Sequence, residues 1–370
     1  MRADHVSREI ETLAQFDAAV ALGHDLARAV VQSVDLRARE HVLALCRVDA
    51  AMFMGCYLTA AAEEDLRSRG ALLFPRIPDS PLNPYRASLY RAINLYDTLP
   101  DGTYADSFDA RAYAWTRTDG GMPSLERTLA AALHDHAISD ALQDYLSRPD
   151  RPRVVGIMGG HAVERGSHAY ATTAALGMAL ARGGFLVASG GGPGAMEAAN
   201  LGARLSPHGE GALGEALEML GAVPSFRPSI DAWVRVAFEV KARFAGGADT
   251  LGVPTWFYGH EPPNVFATRI AKYCSNAVRE ATLLELCRGG LIFLPGAAGT
   301  VQELFQAVTA NYYATDPAAI TPLVLVGSEQ WGRMLPAWPL LQSLARDRPM
   351  GKAIALVDTV EEAGAWLASR

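Results

Sequence analysis

The chain has 370 residues, half of them hydrophobic, and a formal net charge of -7 at pH 7. That supplies a sizeable core and exceeds the usual length of one domain, so two domains are expected. The acidic balance, with no Lys/Arg-rich run and no interleaved aromatic stripe, argues against a nucleic-acid binder.

From Met1 to Val30 acids and bases alternate through an amphipathic helical pattern with no uninterrupted apolar stretch, so neither a signal peptide nor a membrane span is expected. Further on, Leu43, Val48, Phe53 and Leu58 recur every fifth residue, with Cys46, Ala51 and Cys56 two places before the last three. The pattern resembles a fragment of a pentapeptide-repeat β-helix; the competing reading is a helix followed by ordinary core strands. The stretch from Phe74 to Tyr85 carries four prolines and reads as loop, and Ser124 to Leu146 as one or two helices. Cys46, Cys56, Cys274 and Cys287 form no CxxC motif or Cys/His cluster, so a reduced, cytoplasmic setting is expected rather than a disulfide framework. His134 and His136 stand two apart, a spacing that points their rings away from each other on a helix, and no metal site is expected.

The prolines and charges of Ser147–Arg153 mark the expected boundary between an N-terminal α+β domain, 1–146, of unknown role and a second domain, 153–370. The second alternates strands and helices. Arg153–Gly160 is a first strand ending in Gly159 and Gly160, Ser167–Arg182 a helix, Gly184–Ser189 a second strand and Pro193–Arg204 a helix with Pro193 in its first turn. A strand near Thr250–Tyr258, a long helix from Val265 to Cys287, a strand over Gly290–Leu294 and a helix from Thr300 to Tyr313 follow. The strand Thr321–Gly327, a helix over Gln330–Leu344, the strand Ile354–Val357 and a last short helix close the series. Continuous apolar strands alternating with helices predict a doubly wound parallel sheet.

Two glycine-rich turns, Ser189–Gly194 and Pro295–Thr300, each follow a strand and open a helix. Glycine lets backbone N–H groups converge with no side chain in the way, and the helix adds its unpaired first amides and positive dipole end, so both turns suit an anion. At the carboxyl edge of an open α/β sheet this predicts a nucleotide ligand. The residues expected around it are Gly159, Gly160, Gly190, Gly191, Gly192, Gly194, Met196 and Glu197 on one side. On the other stand Gly296, Ala297, Ala298, Gly299 and Thr300. His161 and Arg165, just beyond the first strand, are placed to approach a base or phosphate. Plainer readings compete: Thr300 and Glu303 have the spacing of a capping box, Arg279 that of an exposed ion pair, Glu197 that of a first-turn charge complementing the dipole, and His161 and Arg165 that of a solvated loop.

Gly190–Asn200 together with Pro295–Glu303 resembles the LONELY GUY (LOG) family, whose hallmark is a PGGxGTxxE segment, over residues 153–360; Glu261-Pro-Pro-Asn264 is closer to the bacterial nucleotide 5'-monophosphate nucleosidase branch. The resemblance implies a Rossmann-like, homo-oligomeric phosphoribohydrolase. It would split a nucleoside 5'-monophosphate into free base and ribose 5-phosphate without a metal or organic cofactor. Arg279 and Glu303 match the family's catalytic positions. A carboxylate beside the ribose would stabilise an oxocarbenium-like sugar and orient water, and a guanidinium would hold phosphate bidentately. The family's historical lysine decarboxylase label is disfavoured, since Lys241, Lys272 and Lys352, the only lysines, lie in no pyridoxal-phosphate motif. Ala297 stands where the family has a second glycine, and Glu280 where lysine is frequent. A methyl would crowd the turn if that residue needs a positive φ, and an acid would repel a dianion or turn outward. The alternative is therefore a non-catalytic nucleotide-binding or carrier protein of the same fold.

Overall fold

A computed structural model describes residues 9–99, 101–117, 123–148, 151–257 and 261–370. The middle of the expected boundary, Pro149 and Asp150, and Tyr258 at the end of an expected strand lie outside them. The chain forms two compact units, one of Met1–Leu89 with Thr118–Asp144 and a larger one of Tyr90–Arg117 with Tyr145–Arg370. Among the described residues no helix is long and apolar enough to cross a membrane.

In the smaller unit β1 (Glu9–Ile10), β2 (Val30–Gln32), β3 (Met52–Met54) and β4 (Leu72–Phe74) lie side by side in chain order, all parallel. Val31, Phe53 and Leu73 stack in register across three of them. The five-residue recurrence is the winding of this coil: Leu26, Val31 and Leu36 on one turn and Val48 and Phe53 on the next point inward and are buried, as are Ala29, Val34, Cys46 and Ala51 two places before them. The coil is not built of strand alone, because short helices Leu13–Ala21, Glu40–Leu43 and Ala60–Ser68 alternate with the strands, the first closed by a Thr12/Gln15 capping box and the last capped by Thr59. No single turn can bury its apolar side; stacking buries it against the next, as in other solenoids. Ser124–Leu146 yields one helix, Leu125–Leu146.

The larger unit carries a seven-stranded parallel sheet made of β5 (Val154–Met158), β6 (Leu186–Ser189), β7 (Thr250–Gly252), β8 (Arg269–Ile270), β9 (Gly290–Phe293), β10 (Leu323–Val326) and β11 (Ile354–Val357), in the order β11-β10-β9-β5-β6-β7-β8. The order is the doubly wound, Rossmann-like one expected. It reverses between β5 and β9, which leaves a crevice at their carboxyl ends. Helices His168–Arg182 and Ala195–Leu205 press together so closely that a Cβ on Gly202 would lie 1.7 Å from the Ala174 carbonyl oxygen. Only glycine fits at that crossing.

Three segments depart from expectation. The apolar run from Val265 is buried all round, so it carries no helical stripe; it runs extended through β8, and the helix, Asn276–Leu286, starts only where the Ser275 hydroxyl accepts the Val278 N–H. Gln330–Leu344 is two pieces, a π-helical turn over Gln330–Met334 and, after Pro336, a helix over Ala337–Ala345. Tyr90–Arg117, assigned by the boundary to the N-terminal domain, packs into the larger unit. There the buried Asp109 carboxylate accepts from Lys272 Nζ at 2.5 Å, Trp256 Nε1 at 2.9 Å and the Tyr104 hydroxyl at 2.6 Å, and Tyr90 pairs with Ile270 of β8.

Candidate functional site

The crevice is floored by the turns after β5, β6 and β9. Gly159 and Gly160 both take positive φ, and the Gly160 carbonyl accepts the Ala195 N–H at 2.9 Å, so the first turn meets the helix that follows the second. A Cβ on Gly194 would lie 2.3 Å from that same carbonyl oxygen. Gly194, at φ 74°, is the cap and the helix begins at Ala195, so Pro193 precedes the first helical turn rather than sitting in it.

The second turn is held from behind. The Ser189 hydroxyl accepts the Gly191 N–H at 3.1 Å and donates to Asn200 Oδ1 at 2.7 Å. Asn264, last of the Glu-Pro-Pro-Asn run, donates its backbone N–H to the Gly191 carbonyl at 2.8 Å and its Nδ2 to the Gly192 carbonyl at 3.2 Å and to Asn200 Oδ1 at 3.0 Å. Pro262 and Pro263, just before it, are buried, and Asn264 is fully enclosed.

The third turn differs from its capping-box reading. The helix starts at Ala298 with Ala297 as its cap and no side-chain capping bond, which makes Thr300 the third helical residue, its hydroxyl packed on Gly296. Ala297 has φ −115° and ψ −155°, extended backbone open to any residue, so its methyl does not meet the constraint that a positive φ would impose. The first amides of this helix are left without a side-chain partner, and Gly299 and Thr300 face the crevice.

Freed from a capping role, Glu303 reaches across to Arg279, Nη1 to Oε1 at 2.8 Å, both side chains about nine-tenths buried. Arg279 is thus not an exposed pair on its own helix. Its Nε donates to the Val253 carbonyl at 2.8 Å, and its Nη2 lies over the second turn, 2.5 Å from where a Gly190 Cβ would sit. Two donors of the fork are therefore spent inside the protein, on Val253 and Glu303, while Nη2 lies over the second turn at the cavity wall. Burial pushes the Glu303 carboxyl up from the ordinary carboxylate range; Arg279 pulls it back and Glu280 adds a smaller upward push. Glu280 does not turn outward: it is buried and accepts from Asn276 Nδ2 at 2.7 Å and Gln302 Nε2 at 2.5 Å.

Above these residues lies a cavity of about 150 Å³ walled by Gly159, Gly190, Gly192, Met196, Thr300, Arg279 and Glu303. A second cavity of about 370 Å³ adjoins it, and His161 and Glu261 line both. Glu197 borders the larger one together with Gly194, and is no simple first-turn charge. It is buried against Arg165, whose Nε donates to Oε2 at 2.8 Å, and accepts the Tyr170 hydroxyl at 2.9 Å. The Arg165 guanidinium also donates to the Trp233 carbonyl at 3.0 Å and lies 4.3 Å from its ring centroid. Arg165 is therefore no solvated loop residue, and nothing local in the sequence marks its partner. Gly191, within the second turn, lies against Val253 and Pro254 rather than on the cavity wall.

No protein-family model matches the chain, and no curated protein matches it in sequence. Among solved structures, similar chains include the molybdenum cofactor binding protein of the phototrophic bacterium Rippkaea orientalis, 15% identical with a TM-score of 0.36 over 59% of this chain and 97% of that one. The molybdenum cofactor carrier protein of Chlamydomonas reinhardtii is 18% identical, with a TM-score of 0.36 over 59% of this chain and 98% of that one. At such identities the likeness extends to the fold alone.

Proposed function

We propose that the larger unit binds a nucleoside 5'-monophosphate or a closely similar phosphate-bearing ligand in the switch-point crevice. The observation that carries this is the convergence of three glycine turns and an uncapped helix start around one cavity beside Arg279 and Glu303. The phosphate belongs against the backbone amides of the turns, because the side-chain charge there, one guanidinium among Glu261, Glu280 and Glu303, offers a dianion little attraction.

Two activities use these walls. The resemblance to the LOG family supports cleavage of the N-glycosidic bond. Glu303, kept ionisable by Arg279 and raised in basicity by burial, accepts a proton from water as the water oxygen bonds to the anomeric carbon and the base departs with the bond's electron pair. The carboxylate also faces the positive charge that grows on the sugar. Binding without cleavage is supported by the same pair seen from the other side. Glu303 is already engaged by Arg279, and the buried Glu280 carboxylate beside them weighs against a second anion.

Incubation of the protein and of Glu303→Gln with a panel of nucleoside 5'-monophosphates, with chromatography of free base and ribose 5-phosphate and calorimetry of binding, separates the two. Base release lost in the variant establishes the hydrolase, and binding with no release the carrier. Neither binding nor release from any nucleotide overturns the whole reading.

A further inference from the structure

We infer that Gln330 and Asn264 are a matched pair of positioning residues that turn the backbone amides of the two glycine turns toward the ligand. The inference rests on the phosphate reading above and adds the device that orients the donors. Gln330 lies outside every motif, after β10, in the π-helical turn over Gln330–Met334 that is closed by the Leu335 N–H on the Gln330 carbonyl at 2.8 Å. Such a turn inserts a residue into the helical spacing and is frequent at functional sites. Here Trp331, fully buried, anchors the turn in the core while the neighbouring Gln330 side chain reaches the turn after β9, its Nε2 donating to the Gly296 carbonyl at 3.0 Å.

The sheet order gives this bond its meaning. The Gly296 turn follows β9, and β10 lies on the side of β9 away from β5. Gln330 therefore draws the Gly296 carbonyl outward from the crevice. A trans peptide holds its C=O and the next N–H antiparallel, so the Ala297 N–H turns inward, toward β5. Asn264 does the same at the opposite flank. It lies between β7 and β8, outside β6; its backbone N–H holds the Gly191 carbonyl, which turns the Gly192 N–H to the crevice from the other side, while its carboxamide holds the Gly192 carbonyl, whose peptide runs to Pro193 and carries no N–H. The Gln330 carboxamide on one flank, and the Asn264 backbone N–H with its carboxamide on the other, thus oppose peptide flips that would put a carbonyl oxygen where an anion must sit. Asn264 is fully buried in a network with Ser189, Asn200 and Thr250, whereas Gln330 is partly exposed and its removal is the cleaner test.

Gln330→Leu keeps an aliphatic side chain one atom shorter and removes its donor. The probes are ribose 5-phosphate and ribose, which differ only in the phosphate and require no knowledge of the base. Wild type is expected to prefer ribose 5-phosphate, and Gln330→Leu to lose that preference by about tenfold while ribose affinity and the thermal midpoint stay as they were. A change in packing alone would weaken both sugars or shift the midpoint. Wild-type preference retained in full by Gln330→Leu overturns the bracket and leaves the phosphate site standing. No preference in wild type overturns both.

Discussion

Removing the Asp109 carboxylate should unfold the larger unit at far lower denaturant. Asp109 and Lys272 are at most 1% exposed, so Asp109→Ala strands an ammonium in the interior, a change that costs about 3–5 kcal/mol when one partner of a buried pair is deleted. The Trp256 indole N–H and the Tyr104 hydroxyl lose their acceptor at the same time, at about 1–3 kcal/mol each, though costs at one shared site do not add in full. The expected loss is about 5 kcal/mol, comparable to the whole stability of many domains. Replacing both charges, Asp109→Ala with Lys272→Met, removes the stranded ammonium and should recover roughly half of that loss. Urea unfolding followed by tryptophan emission reports it directly, because all six tryptophans, at 115, 233, 256, 331, 338 and 366, belong to the larger unit. A loss under about 1 kcal/mol in the single variant, or a double variant no more stable than the single one, would refute the reasoning.

Gly190 has no positive φ, so Gly190→Ala suits the backbone, but its methyl would sit 2.5 Å from Arg279 Nη2 and 2.7 Å from Met196 Sδ. Both neighbours are flexible ends; a thermal midpoint near wild type with nucleotide binding weakened at least about tenfold is expected by calorimetry. In the smaller unit, burial and then the charges of Asp144, Glu9 and Asp140 raise the Glu11 carboxyl to about 7. The folded state then holds a proton that the unfolded state gives up, so the stability of this unit is full below the ordinary value of 4.5 and falls as pH rises from there to about 7. Hydrogen exchange of the β1 and β2 amides should show that fall, and Glu11→Gln should flatten it. Phe53→Ala, at a position 1% exposed between Val31 and Leu73, should cost the same unit about 3–5 kcal/mol by the same measurement.

What could be read from the sequence follows the range of the interaction. The strands Val154–Met158, Gly290–Phe293 and Leu323–Val326 announce themselves as continuous apolar runs because each is covered on both faces, and the glycine turns because the residues that let the backbone turn lie within six positions of one another. The coil of the smaller unit was half legible: its five-residue recurrence is local, but the short helices inserted between strands disguise its period. Apolar periodicity misled at Val265–Tyr273, where burial on all sides looks the same in a strand and a helix. The pairings Arg165 to Glu197 and Asp109 to Lys272 left no trace, since charged residues far apart in the chain look like surface residues until the fold brings them together. The same holds for Gln330, whose acceptor is a backbone carbonyl 34 positions away.

The chain crosses between its two units three times, after Leu89, after Arg117 and after Asp144. A single cut therefore cannot free the larger unit intact. A fragment beginning at Arg153 would carry Lys272 and Trp256 without the carboxylate that satisfies them. The same interleaving orders events on the ribosome: Tyr90–Arg117 emerges early, yet its partners at Trp256, Ile270 and Lys272 are made much later, so this segment must wait, unsheathed, for more than a hundred residues of chain before it can be enclosed.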